Sequence, residues 1–223
     1  MRRRLAAIYG AGALACAAVS TAGGWALWLL WPALSLLMVA SFYAVIGEAG
    51  FQKRAGGRHC LAASWLLAPY LGGAWLNSRA WTWRAPRWGL VVDGVWIGRT
   101  PTAAELEGST FTSVVDLSPE LSLNAGPRPI AVLPVLDLTT PSTELLVSAV
   151  AAIERLRRNG PVLVCCALGY SRSACAVAAW LLATHRVPSV EAALLRVREA
   201  RAEVVLGPHH AAALRTLPAY VTA

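Results

Sequence analysis

The chain has few acidic residues, and the shortage is confined to one part of it. Residues 1–88 contain nine Arg or Lys and a single acid, Glu48, whereas residues 89–223 contain eleven charges of each sign. The formal net charge of +8 therefore belongs entirely to the N-terminal part. A domain that binds nucleic acid needs a basic surface of its own, so this distribution argues against nucleic acid as a partner of the C-terminal part.

Charge is missing altogether from one long stretch. Leu5–Gly47 contains no Arg, Lys, Asp or Glu, and it is too long for one membrane crossing, which takes about 20 residues. Because Gly23-Gly24 favours a turn, the pattern predicts two apolar helices, near 5–22 and 25–47. A third apolar segment, 61–77, is interrupted by proline and glycine. The sequence thus predicts a helical membrane region over residues 1–77 and a juxtamembrane linker over 78–88.

Aspartate is also scarce, whereas one short stretch concentrates reactive groups. Cys166 is followed by five uncharged residues and then by Arg172-Ser173. The apolar run 161–165 before it is typical of a buried strand, and the Ala-rich run 173–184 after it is typical of a helix. The stretch between them therefore lies where a strand ends and a helix begins, with unpaired amides and a helix dipole that favour an anion.

This loop has the composition of a phosphate site with a sulfur nucleophile. Gly169 lets the backbone curl so that several N–H groups converge on one anion, and Arg172 offers a planar fork for two phosphate oxygens. The same positive surroundings favour the thiolate form of Cys166, the nucleophilic form, and Ser173 can hydrogen-bond the sulfur. The predicted substrate-binding residues are Ala167, Leu168, Gly169, Tyr170, Ser171 and Arg172, and the chemistry requires neither metal nor cofactor.

The leaving group needs a proton, and only three aspartates exist to supply it: Asp93, Asp116 and Asp137. Asp93 precedes a glycine between two apolar runs, which indicates a hairpin turn. Asp116 ends a strand-like run. Asp137 follows a short apolar strand and opens a polar loop that is able to close over a site. His209-His210 has no evident third metal ligand, so a loop or helix-start role is favoured over a metal site.

These stretches together resemble the cysteine-based protein tyrosine phosphatases, and within them the dual-specificity phosphatases. The resemblance runs from Gly89 to about Leu217 and includes the strands near 92–98, 114–117 and 132–137. It implies that Asp137 is the general acid, with Asp116 as the fallback.

Cys165 stands where these enzymes commonly have histidine. Packing in the core is its favoured role, and the alternative, which Cys175 shares, is a reversible disulfide with the nucleophile.

The resemblance also implies the architecture. We expect an α/β domain over residues 89–223 with a dual-specificity-phosphatase-like, mainly parallel sheet and flanking helices, preceded by the helical transmembrane region. The expected activity is hydrolysis of phosphate monoesters through a Cys–phosphate intermediate. The expected substrate is a phosphoprotein or a phospholipid headgroup phosphate such as phosphatidylglycerol phosphate.

Two alternatives remain from other classes of protein. One is a catalytically inactive, membrane-anchored phosphate-binding module, and the other is a membrane scaffold or part of a transporter.

The basic residues at 2–4 and 53–58 favour the cytoplasm, and a free thiolate is easier to keep in a reducing compartment. These features predict a bacterial-type inner-membrane protein with a cytoplasmic catalytic domain, unless segment 61–77 crosses and places that domain outside.

Overall fold

A computed structural model describes residues 1–218, and the last five residues of the predicted domain 89–223 lie outside the described part. The order of elements divides the chain into helices first and a mixed domain second. The helices of the first part are α1 (Arg2–Ser20), α2 (Leu30–Ser41), α3 (Leu61–Leu66) and α4 (Ala68–Thr82). They are followed by β1 (Trp88–Val92), β2 (Val95–Arg99), α5 (Ala103–Glu107), β3 (Ser113–Asp116), β4 (Ile130–Val132), α6 (Thr143–Arg157), β5 (Val162–Cys166), α7 (Arg172–Ala183), α8 (Val190–Ala200) and α9 (Pro208–Arg215).

The second part contains a five-stranded sheet in the order β1-β2-β5-β3-β4. β1 runs antiparallel to β2, and the other pairs are parallel. Asp93 and Gly94, which connect β1 to β2, both have positive φ, 49° and 75°, as the predicted hairpin turn requires. The predicted mainly parallel sheet with flanking helices is therefore confirmed.

The central strand β5 has all five residues buried, and its side chains alternate between two cores. Val162, Val164 and Cys166 belong to the larger core, which contains α6, α7 and α8. Leu163 and Cys165 belong to a smaller core on the opposite face. The alternation aims Cys166 toward α7 and keeps Cys165 on the other side of the sheet.

The N-terminal part forms a helical hairpin. α1 ends at Ser20, Gly23 and Gly24 have φ of 73° and 56°, and a continuous helical stretch then runs over Gly24–Ile46 with α2 at its centre. Within residues 1–218, this stretch is the one helix that is long and apolar enough to cross a membrane, judged by length and composition. α1 corresponds to the predicted apolar helix near 5–22. It begins with three arginines and is rich in Gly and Ala.

The third predicted apolar segment is broken in the structure. α3 ends at Leu66, and α4 starts at Ala68 with Pro69 in its first turn, where a missing N–H costs no helical hydrogen bond. α4 then continues to Thr82, so the first five residues of the predicted linker 78–88 are helical. The reason is local, since no Gly or Pro occurs between Ala74 and Ala85 to end the helix.

Candidate active site

The predicted phosphate loop connects β5 to α7. Gly169 has a φ of +76°, and an added Cβ there would approach the carbonyl oxygen of Gly98, at the end of β2, to 2.6 Å. Both constraints require glycine. Within residues 1–218, the backbone N–H groups of residues 167–171 donate to no backbone carbonyl, so they are available to an anion.

The sulfur of Cys166 lies beneath this loop. Cys166 is 2% exposed, and its Sγ is 3.3 Å from Oγ of Ser173, a fully buried residue in the first turn of α7. The Ser173 hydroxyl is therefore placed to donate a hydrogen bond to a thiolate. Cys166 and Arg172 line one cavity of about 800 Å³, which we call the active-site cavity.

The guanidinium of Arg172 is fixed by two carboxylates. Its two terminal nitrogens donate to Oε2 and Oε1 of Glu120 at 2.9 and 2.6 Å, and one of them also donates to the carbonyl of Val135. Oδ1 of Asp137 lies 3.0 Å from Nη2. Burial alone would lower the pKa of Arg172, but the charges of Glu120 and Asp137 outweigh it and raise that pKa, so the guanidinium stays charged.

Glu120 was missed by the sequence analysis. It is 4% exposed and follows β3 in the loop 117–121, at the carboxyl edge of the sheet where β5 also ends. A buried carboxylate at this edge beside an arginine holds the planar fork in one orientation. The one available signal was a glutamate shortly after a buried strand.

The structure separates the two candidate acids. Asp137 is in the active-site cavity, its side chain is 37% exposed, and its backbone carbonyl accepts a hydrogen bond from the hydroxyl of Tyr43. Asp116 is fully buried, and its Oδ2 is 2.6 Å from Nζ of Lys53. Its Oδ1 accepts from the N–H and hydroxyl of Ser118. Asp116 is therefore a structural anion, and the geometry favours Asp137 as the acid.

Lys53 comes from the N-terminal part and is the only lysine in the chain. Its Nζ donates to Asp116 and to the carbonyls of Ser118 and Leu121, at 2.5 and 2.6 Å, and its side chain is 1% exposed. Nearby, Nε2 of His59 lies 2.7 Å from the carbonyl of Pro119. These contacts hold both ends of the loop that presents Glu120 to Arg172.

Helix α4 also contacts the phosphate loop. The hydroxyl of Ser78, a buried residue, donates to the carbonyl of Ala167 at 2.6 Å. The hydroxyl of Tyr170 donates to the carbonyl of Trp81 at 3.0 Å. The N-terminal part thus contacts the phosphate loop and the Glu120 loop directly.

The structure distributes the predicted binding residues over two roles. Leu168, Tyr170, Ser171 and Arg172 line the active-site cavity, together with Met1 and Arg2 from the start of α1. Ala167 and Gly169 contribute backbone instead. Of the two histidines, His210 hydrogen-bonds Ser171 through Nε2 at 2.9 Å, and burial lowers the pKa of His210.

The remaining cysteines near the site are inert core groups. Cys165 and Cys175 are fully buried free thiols. Burial raises the pKa of Cys165 well above its usual value and that of Cys175 to about 12. These thiols are protonated at neutral pH, which fits core packing better than exchange with Cys166.

Comparison with known proteins places the domain. Residues 95–218 match the family described as "Dual specificity phosphatase, catalytic domain". Among solved structures, Tk-PTP in its active form is 28% identical with a TM-score of 0.51, covering 59% of this chain and 96% of that one. Human DUSP28 is 27% identical with a TM-score of 0.50, covering 58% and 91%.

A third structure, PTPMT1 in complex with PI(5)P, is 20% identical and shares the fold, with a TM-score of 0.55 and coverage of 61% and 97%. No curated protein matches significantly. The family match covers more than half of the chain, and its first residue lies in β2. The chain therefore belongs to the dual specificity phosphatase family and is a phosphatase, with an N-terminal helical part that precedes the matched domain.

Proposed function

We propose that this chain is a membrane-anchored phosphatase that hydrolyses phosphate monoesters through a covalent intermediate on Cys166. The main observation is that Cys166, whose sulfur contacts the Ser173 hydroxyl, lines one cavity with Arg172 and Asp137 at a loop whose amides donate to no backbone carbonyl. An anion bound there meets oriented N–H groups and a fixed guanidinium, both of which stabilise charge that develops on phosphoryl oxygens.

The roles follow from the geometry. The Cys166 thiolate attacks phosphorus and the ester P–O bond breaks, while protonated Asp137 gives its proton to the departing oxygen. Water then attacks the phosphocysteine, Asp137 takes a proton from that water, and the P–S bond breaks. The Ser173 hydroxyl stabilises the thiolate that leaves. Glu120 is a positioning residue, since it acts through Arg172.

Membrane anchoring is supported by the helical stretch Gly24–Ile46. The start of α1 indicates on which side of the membrane the site lies, because Arg2 lines the active-site cavity and Arg3 and Arg4 follow it. The arginine-rich end of the helical hairpin and the catalytic site are therefore on the same side of the membrane. Basic residues flanking a membrane helix favour the cytoplasm, so the site belongs at the cytoplasmic surface of the membrane.

A lipid headgroup phosphate is the substrate class that this placement favours, since the site then lies beside the bilayer. The loop 167–171 has no Lys or Arg for additional phosphates, which favours a headgroup with one terminal phosphate, such as phosphatidylglycerol phosphate. The fold itself accommodates lipid phosphate, since PTPMT1 was solved with PI(5)P. A phosphoprotein is the second candidate, because the family resemblance is to protein tyrosine phosphatases.

The test is hydrolysis of p-nitrophenyl phosphate by the full chain in detergent micelles. Cys166→Ser is expected to lower kcat by about a thousandfold or more, since it removes the nucleophile. Cys16→Ser, which changes a half-buried cysteine of α1 far along the sequence, is the matched control and should keep the wild-type rate. Equal rates for Cys166→Ser and wild type would exclude the mechanism. Phosphate binding by a wild-type chain without turnover would instead support the inactive phosphate-binding module.

A further inference from the structure

A second cavity of about 430 Å³ adjoins the active-site cavity. The two share Asp137, Leu138 and Leu168 in their walls. The second one, which we call the lateral cavity, is otherwise walled mainly by the N-terminal helices, including Tyr9 of α1 and Leu36 of α2. These helices lie outside the residues matched by the family, 95–218.

The walls of the lateral cavity are of two kinds. Asp137, which also lines the active-site cavity, and Glu120, which bonds Arg172, make the catalytic side charged. The other walls include the aromatic rings of Tyr9 and Tyr70 and the apolar side chains of Leu36 and Pro69. Charged groups at the phosphate site beside aromatic and apolar groups of the helices are the arrangement that an amphiphilic ligand requires.

The cavity follows the hairpin away from the catalytic level. The hydroxyl of Tyr43 contacts the Asp137 carbonyl and so marks the catalytic level. Leu36 lies seven residues before Tyr43, a separation of roughly 10 Å along a helix. Tyr9 follows Arg2, at the rim of the active-site cavity, by the same number of residues. Leu36 therefore extends the wall of the lateral cavity toward the middle of the apolar stretch Gly24–Ile46. The ring of Tyr9 stays closer to the catalytic level, because it packs 5.4 Å from the ring of Tyr43.

We propose that the lateral cavity holds the glycerol-linked acyl chain of a membrane lipid whose terminal phosphate monoester lies at Cys166. This inference rests on the proposed function and names how its substrate enters, from the side of the bilayer. The occupant follows from continuity with the phosphate site and from the aromatic and apolar walls that the N-terminal helices supply. A phosphopeptide would approach from solvent and has no chain to place among α1, α2 and α4.

Two adjacent glycines provide a matched pair for the test. Gly72 and Gly73 lie in α4, and a Cβ added at either meets nothing within 4 Å. Gly73 lines the lateral cavity and Gly72 does not. A phenylalanine at either position gains helix propensity over glycine, but only at position 73 does it fill the cavity.

The experiment uses the full chain in mixed micelles with dioleoyl phosphatidylglycerol phosphate and, separately, p-nitrophenyl phosphate. Gly73→Phe is expected to lower the ratio of lipid to aryl phosphate kcat/KM by about tenfold or more, the size of effect produced when an apolar pocket is mismatched. Gly72→Phe should leave this ratio at the wild-type value. An unchanged ratio in Gly73→Phe, or an equal fall in both variants, would overturn the proposal.

Two further results separate failure of this inference from failure of the proposed function. If the wild type hydrolyses the aryl phosphate but not the lipid, the proposal for the lateral cavity is wrong and the proposed phosphatase activity still holds. Absence of aryl phosphate hydrolysis overturns both. As a binding readout, a phosphatidylglycerol phosphate with a photoreactive acyl chain should label peptides of α1, α2 or α4 in the Cys166→Ser chain, and labelling confined to residues 88–218 would contradict the proposal.

Discussion

The N-terminal part and the phosphatase domain differ in how many large apolar side chains they expose. Among residues 1–218, 24 large hydrophobic residues are exposed; 20 of them lie in residues 1–83, and the phosphatase domain has four. The domain hides its apolar side chains in cores around β5 and α7. The N-terminal part displays them outward, as surfaces that bind a partner or a membrane do.

Four polar side chains of the N-terminal part make hydrogen bonds to the phosphatase domain around its site. Lys53 and His59 bond backbone carbonyls of the Glu120 loop, Ser78 bonds the phosphate loop, and Tyr43 bonds the backbone of Asp137. The comparison teaches that the region before the matched family domain is part of the site's construction. An anchor joined by a free linker would need none of these contacts.

Among variants that remove a contact between the N-terminal part and the phosphatase domain, Lys53→Met should lower stability and activity the most. It leaves Asp116 as an unpaired buried anion, and loss of one partner of a buried pair costs about 3–5 kcal/mol. We expect a comparable fall in the free energy of unfolding in detergent micelles, together with a lower kcat because the Glu120 loop loses its support.

The neighbouring exposed Arg54 supplies the control, since Arg54→Met removes a cation without a buried partner. The double variant Lys53→Met/Asp116→Asn should recover part of the stability. If Lys53→Met were as stable and as active as Arg54→Met, the N-terminal part would not support the site.

Asp137→Asn should sharpen the comparison by acting within the phosphatase domain alone. Loss of general acid catalysis is expected to lower kcat by about a hundredfold for an alkyl phosphate, and by less for p-nitrophenyl phosphate, whose leaving group departs without a proton. Unfolding should change little, because the Asp137 side chain is partly exposed.

The leaving group distinguishes this role from a structural one. Loss of a general acid should lower kcat more for an alkyl phosphate than for p-nitrophenyl phosphate, whereas loss of a structural contact should lower kcat for both substrates equally. A normal alkyl phosphate rate in Asp137→Asn, with loss in Asp116→Asn, would reverse the assignment of the two aspartates.

Ser78→Ala should weaken the connection by the smallest amount. It removes a neutral hydrogen bond to the carbonyl of Ala167, which is worth about 1 kcal/mol. Thermal unfolding of the full chain measures this loss. Ser41→Ala is a suitable control because that hydroxyl bonds the carbonyl of Met38 within its own helix. Equal stability of the two variants would show that α4 does not hold the phosphate loop.

The phosphate loop could be predicted because everything that defines it is local. The apolar run before Cys166, the glycine at 169 and the arginine at 172 lie within about a dozen residues, so strand, turn and helix signals fall in register. The mainly parallel sheet followed from the alternation of such runs, although β4 ends at Val132, before its apolar run does.

The partners of the loop could not be predicted because they come from distant segments without periodicity. Glu120 is 52 residues from Arg172, and Lys53 is 63 residues from Asp116. No spacing rule connects such pairs, since a loop residue's position depends on tertiary packing. The basic segment 53–58 looked like a cytoplasmic flank of membrane helices, whereas the structure buries its lysine in the phosphatase domain.

The central claim is tested most directly by trapping the intermediate. The full-length chain is mixed rapidly with p-nitrophenyl phosphate, quenched in acid and digested, and the peptide that contains Cys165 and Cys166 is analysed by mass spectrometry. We predict one phosphoryl group on Cys166, present in the wild type and absent in Cys166→Ser. Steady turnover of the substrate with no phosphorylated cysteine, or with the label on another residue, would contradict the account.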